Sequence, residues 1–186
     1  MIKVINYQFK IPEGANVINT TSRSKDFGRG LSPFLIGPCD LYDDHVSKNM
    51  ENSWQFSKVY REDLEEDGSI GEKYFKWAKE GWNDDFAHRY PKGKDAKPLF
   101  SYWAGEKLDY VEARKKIYIP LYSEAVQKTE VWKKLKDLYE EKKSIFLVDF
   151  DSYNLSYGID YWALWNNPNI KVGHAYVLAM MLEGII

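Results

Sequence analysis

Residues 144–151 read SIFLVDFD, a continuous run of apolar β-formers that ends on two acids. The run predicts a strand, and two-residue periodicity puts Asp149 and Asp151 on one face of it. Two carboxylates then share one edge; read more plainly, they are strand-end turn residues, with Asp capping the following SYNLS, 152–156. On the N-terminal side lies TEVWKKLKDLYEEKK (129–143), in which Thr129 can cap a helix with an apolar stripe of Trp132, Leu135 and Leu138 or Tyr139. On the C-terminal side, VGHAYVLAMMLE (172–183) is a helix apolar nearly all round, the mark of a buried element, with Gly173 and His174 at its start. A strand between such helices gives the class α+β, mostly helical with a small β-sheet.

The same reading extends outward. MIKVINYQFKI (1–11) alternates with Ile5, Tyr7, Phe9 and Ile11 on one side, which predicts a strand closed by Pro12 and Gly14. Val17 and Ile18 form a second apolar patch before a loop dense in Ser, Thr, Gly and Arg. Further helices are expected over MENSWQFSKVY (50–60), entered at Ser47 or Asn49, and over EKYFKWAKEGW (72–82), where Tyr74, Phe75, Ala78 and Trp82 are helically spaced and Gly81 suits the end. Residues 83–107 show no sustained period and read as an irregular excursion. Asp109 and Glu112 make a capping box opening a helix over 110–128, which Pro120 should bend because it offers no N–H to the carbonyl of Lys116. No repeat or linker divides the chain, so residues 1–186 read as one compact domain.

Composition narrows the function classes. With 26 basic and 28 acidic residues, the net charge of -2 supplies no pull toward nucleic acid or an anionic membrane. The basic stretch YPKGKDAKP (90–98) is the one local argument for a nucleic-acid factor, and stable binding of plain nucleic acid is not expected. Cys39 is the single cysteine, which excludes an intramolecular disulfide and a cysteine zinc site and fits a reducing, cytoplasmic setting; after Gly-Pro in a loop it reads as a passenger. No run of 18 apolar residues or signal-type leader occurs, so neither membrane insertion nor export is expected. Aromatics make up 16% of the chain, enough to build a core and still leave rings for stacking on a flat ligand.

G-x-S-x-G, Walker A, G-x-G-x-x-G and H-E-x-x-H are all absent, and the histidines lack ligand spacing, which leaves carboxylates and cations to carry any chemistry. In MENSWQFSKVY, Glu51, Gln55 and Lys58 stand at i, i+4 and i+7, one stripe of a helix. The stripe is either the solvated face of a short amphipathic helix or the wall of a polar pocket. Glu51, Asp149 and Asp151, with Lys58, Lys116 and Arg23 beside them, match what glycosidic cleavage asks for: a negative charge to steady an oxocarbenium-like carbon and a group to handle the proton. The basic residues would hold the phosphates of a nucleotide-type substrate.

In order along the chain, LSPF (31–34), ENSWQFSKV (51–59), KIYIPLY (116–122), IFLVD (145–149) and GHAYVLAMML (173–182) resemble the NADAR, or YbiA-like, superfamily. The resemblance implies a single compact YbiA-like α+β domain that hydrolyses the N-glycosidic bond of a ribosylated or ADP-ribosylated base without a metal or cofactor. Glu51 would take the helix carboxylate, Lys58 the helix lysine, Lys116 the lysine of the later helix and Asp149 the strand-end acid, with Asp151 or Asp160 aligned to a further acid. Arg23 and Ser32 would contact phosphate or ribose, Gln55 the substrate, and one of Trp54, Trp103 or Trp162 would stack on the base. Burial of Glu51 would leave its lysine neighbours to keep it ionised. The chain departs from the pattern at Asn52 for His, Pro33 for Asn, Asp149 for Glu, and His174–Ala175 for Lys-Asn. A non-catalytic binder of ADP-ribose or a related nucleotide is the alternative reading.

Overall fold

In a computed structural model, which describes residues 1–153 and 160–186, the strand Ile145–Val148 lies between Ile2–Ile5 and Val17–Asn19, parallel to both. All of its residues are buried, as a strand covered on both faces must be. Ile145 and Leu147 enter the main core with Ile2, Val4 and Ile18, while Phe146 and Val148 join Ile5 in a second cluster closed by Phe9 and Ala15. The N-terminal strand is shorter than its alternation suggests. At Asn6 the chain turns, the side-chain Oδ1 accepting the N–H of Gln8 at 3.1 Å and the carbonyl that of Phe9 at 2.9 Å. Folding back lets Phe9 cover the sheet and leaves Tyr7 and Ile11 exposed.

The helix His174–Leu182 is the centre of the main core, with every residue from His174 to Met180 buried. It packs on Ile2–Ile5, Ile145–Val148 and the helix Ile119–Gln127. Because the three sheet strands run parallel, their C-terminal ends lie on one edge. The loops that leave Asn19 and Val148, carrying Thr20–Arg23 and Asp149–Asp151, therefore emerge side by side.

A second layer packs the helix Glu72–Trp82 against an antiparallel sheet of Lys58–Val59, Phe100–Trp103 and Glu106–Leu108, with Phe56, Val59, Tyr74, Ala78 and Trp82 as its core. Residues 83–107 are thus not wholly irregular. Ala104 and Gly105 both take positive φ, 48° and 87°, the geometry of a tight two-residue hairpin that the Ala-Gly pair did not announce. Val46–Ser47 pairs with Cys39–Asp40 in a further two-stranded sheet, so small sheets replace the one expected. Gly81 lies inside the helix rather than past its end, where any Cβ would run into the buried ring of Phe56. Gly81→Ala is expected to lower stability by about 1–3 kcal/mol, measured by urea unfolding, because a well-packed ring must leave its rotamer.

The helical stretch from Tyr110 opens with the expected box: Asp109 Oδ1 accepts from Val111 and Glu112, and Glu112 returns a bond to the Asp109 N–H. Where a bend was expected, the chain widens into a π-helical segment, Arg114–Tyr118, before Ile119–Gln127 continues it. The segment closes with the N–H of Ile119 reaching the carbonyl of Arg114. This turn buries Arg114, Ile117 and Tyr118 and leaves Lys115 and Lys116 outside. Thr129 caps Glu130–Lys142, its hydroxyl accepting from Trp132. The whole is one compact α+β unit; among the described residues no helix is long and apolar enough to cross a membrane.

Candidate functional site

A cavity of about 540 Å³ opens at the edge where the parallel strands end. Thr21, Ser22 and Arg23 line it from one loop and Asp149, Phe150 and Asp151 from the other. Gly173 and His174 contribute the start of the buried helix, and Glu51, Trp54 and Gln55 a face of the helix Met50–Gln55. Of the residues singled out in the sequence, Arg23, Ser32, Glu51, Trp54, Gln55, Lys58, Asp149 and Asp151 all reach this wall. Lys116 does not: it stands exposed and ion-paired with Glu106. The widened turn swings it outward and brings Arg114 and Tyr118 to the cavity instead. Of the tryptophans proposed to stack, Trp54 lines the cavity; Trp103 packs against the core and Tyr42, and Trp162 is exposed.

The polar stripe is buried, not solvated. Asn49 caps the short helix, its Oδ1 accepting the N–H of Asn52 at 2.8 Å, which fixes the register that turns Glu51 and Gln55 inward. The helix stops at Gln55, so Lys58 belongs to the following strand and returns to the stripe through its side chain. Lys58 Nζ donates to Gln55 Oε1 at 2.6 Å and Gln55 Nε2 donates to Glu51 Oε1 at 2.9 Å, a chain that fixes the amide's orientation. Lys58 also lies 5.0 Å from the centre of the Trp54 ring. Burial raises the Glu51 carboxyl above the usual carboxylate range even though Gln55, Lys58, Arg89 and His174 all oppose it. The expectation that neighbouring lysines keep it ionised underrates desolvation, which also lowers Lys58 to about 8.

Asp149 is fully engaged. Its Oδ1 accepts the N–H of Phe150 at 2.7 Å, and its Oδ2 accepts the N–H of Ala175 at 3.1 Å and faces His174 Nδ1 at 3.0 Å. It caps the helix His174–Leu182; the expected cap on SYNLS falls on residues 154–156, which lie outside the described residues. Burial works against its ionisation, but the imidazole, its hydrogen bond and the two backbone N–H groups prevail and hold the carboxyl below its ordinary value. Gly173 permits the approach, since any Cβ there would strike the Asp149 carboxylate. Asp151 stands at the mouth, 3.3 Å from Arg89 Nη2. Asp160 lies away from the cavity wall and caps Tyr161–Asn166.

The remaining cations were not legible in the sequence. Arg89 comes from the stretch read as irregular, and Lys171 from the approach to the last helix. Arg114 is fully buried, donates to the carbonyls of Trp165, Asn167 and Ile170, and lies 3.9 Å from the centre of the Tyr110 ring. Arg23 sits over Phe150 and Arg89 over Tyr90, each 5.5 Å from the ring centre. The backbone that leads to Arg89 is pinned by Asn52: its Nδ2 donates to the carbonyls of Gly81, Asp84 and Phe86, and its Oδ1 accepts the N–H of His88 at 2.8 Å. Asn52→Ala is expected to cost about 1–3 kcal/mol, read from denaturant unfolding, because it removes the partner of the part-buried Phe86 carbonyl and His88 N–H. Cys39 is buried outside the cavity, and burial pushes its thiol up to about 11, as suits a passenger.

The model of a family of unknown function (DUF6939) matches residues 2–158. No curated protein and no solved structure matches the chain.

Proposed function

We propose that this chain, which belongs to the family of unknown function DUF6939, is an N-glycosidase acting on a ribosylated or ADP-ribosylated base that carries phosphate. The observation that carries the reading is the setting of Glu51: a buried carboxyl on the floor of a cavity whose other walls offer Arg23, Lys58, Arg89 and Lys171. A carboxyl whose proton affinity is raised by burial suits general acid–base work on water or a leaving base, and as an anion it steadies a cationic sugar carbon. The chain as a whole is slightly acidic, so this cluster of cations is local and fits an anionic ligand rather than a polyanion surface. Trp54 and Tyr110, tilted against each other at 6.4 Å between ring centres, supply aromatic surface for the base. The resemblance to NADAR proteins supports the same reaction class.

The second reading, a reader that binds ADP-ribose without turning it over, is favoured by the state of Asp149. With both oxygens committed to backbone N–H groups and His174, it is not free to share acid–base work with Glu51. Incubation with ADP-ribosylated nucleobase and with a phosphorylated ribosylamine whose nitrogen carries the base, followed by chromatography for free base, separates the two. Multiple turnover to free base is expected; binding of ADP-ribose with no product over long incubation would replace the hydrolase by the reader.

A further inference from the structure

His174 Nε2 lies 2.9 Å from the carbonyl oxygen of Thr20, while Nδ1 faces the Asp149 carboxylate at 3.0 Å. Both partners only accept, so both ring nitrogens must donate, and a ring that donates twice is an imidazolium. We propose that His174 is a positioning residue of the cavity: as an imidazolium it ties the loop that carries Arg23 to the end of the central strand, and losing its proton releases that loop. The geometry of the loop supports this. Thr20 also binds the strand end, its Oγ1 and N–H both donating to the carbonyl of Val148 at 2.9 and 3.1 Å, and Thr21 accepts the N–H of Ser24 at 3.0 Å to fold the segment bearing Arg23. A neutral ring keeps one N–H and must turn a lone pair on either a carbonyl or a carboxylate, so one of the two ties becomes repulsive.

The groups that face the ring set the sense of the switch. Asp149 approaches from the strand end, Thr20 from the neighbouring loop, Glu51 acts on it from the helix Met50–Gln55, and the Tyr122 ring packs at 5.6 Å from Ile119–Gln127. The acids favour the charged ring and outweigh its burial, which by itself lowers proton affinity. The tie is therefore held to a higher pH than a free imidazole would hold it, and opens as pH rises through the raised value. Because His174 bonds Asp149 rather than a ligand, its effect on binding acts through Arg23.

The test has one part that needs no ligand. In the parent protein, nitrogen NMR of the histidine rings is expected to show both nitrogens of His174 protonated at pH 6 and that ring titrating at a higher pH than a free imidazole, with backbone exchange across 20–24 rising at least fivefold as it does so. A ring with one bare nitrogen at pH 6, or a titration that leaves the loop unchanged, overturns the proposal. The ligand part rests on the anion-binding reading of the cavity and uses ADP-ribose as probe. His174→Gln, which cannot donate twice, should weaken binding at least tenfold at pH 7, and His174→Lys, which can, should recover most of it. Equal loss in both variants, with both folded by near-UV circular dichroism, overturns the proposal. If the parent itself ignores ADP-ribose at every pH, the reading of the ligand falls, and the ring and loop signals alone decide the role of His174.

Discussion

Glu51→Gln is expected to reduce base release by about 10²–10⁴-fold, the range that a positioned acid–base group supplies, while leaving the protein folded. Glutamine fills the same volume, and its carbonyl can still accept the bond that Gln55 Nε2 makes to Glu51. Folding should even gain slightly above the ordinary carboxylate range, and the sign follows from linkage. Glu51 binds its proton more tightly folded than unfolded, so between the ordinary value of 4.5 and its raised folded value the native state holds more protons and stability falls as pH rises. The variant lacks that decline. Lys58 moves in step: without the Glu51 charge that favours its protonation, its value should drop below the parent's 8 or so. Rates of base release and urea midpoints, measured together against pH, check both halves. A folded Glu51→Gln protein releasing base at the parental rate would remove Glu51 from the chemistry.

Asp149→Ala is expected to be the most destabilising single change in the cavity, at about 3–5 kcal/mol, because it leaves the buried His174 charge without its partner. For a chain of this size that is a fall in melting temperature of roughly 6–20 °C. The pH profile identifies the cause. Burial opposes the Asp149 anion, but His174 and two N–H groups depress its folded value, so its contribution is present above the unfolded value and lost as pH falls through the folded one. Burial likewise opposes the His174 cation, but Asp149 raises its folded value; that contribution is full below 6.5 and lost as pH rises through the raised value. The gap between parent and variant should therefore be widest in the window between the two and narrow on both sides. A gap that does not vary with pH would mean that Asp149 serves packing alone.

Much of the site was readable because it is local. Glu51 and Gln55 share a helix face by spacing, and the acids at 149 and 151 mark where an apolar strand must stop. Lys116 was misplaced for an equally local reason that spacing does not carry. The resemblance put it at the site as the lysine of the later helix, but a π-helical turn before Pro120 changes the angular step between residues, leaving Lys116 outside and bringing Arg114 and Tyr118 to the cavity. Arg89 left no signal at all, since the stretch that bears it has no period and is pinned by the amide of Asn52 from another segment. His174 was visible as a residue at a helix start, but nothing near it in the chain says that it is charged.

By itself the sequence determined which segments leave water and in what form: the strand at 145–148, the helix from 174 to 182, and the caps at Asp109 and Thr129, with the cap of the helix at 50 left between Ser47 and Asn49. Those follow from apolar periodicity and from donors that a helix end must satisfy within a few residues. Only the tertiary structure decided which polar groups share a cavity, because Thr20 and His174, 154 residues apart, meet through the parallel pairing of strands. It also decided their charge. Desolvation and the distance to the nearest opposite charge set the proton affinity of Glu51, Lys58, Asp149 and His174, and neither quantity exists until the chain has folded around them.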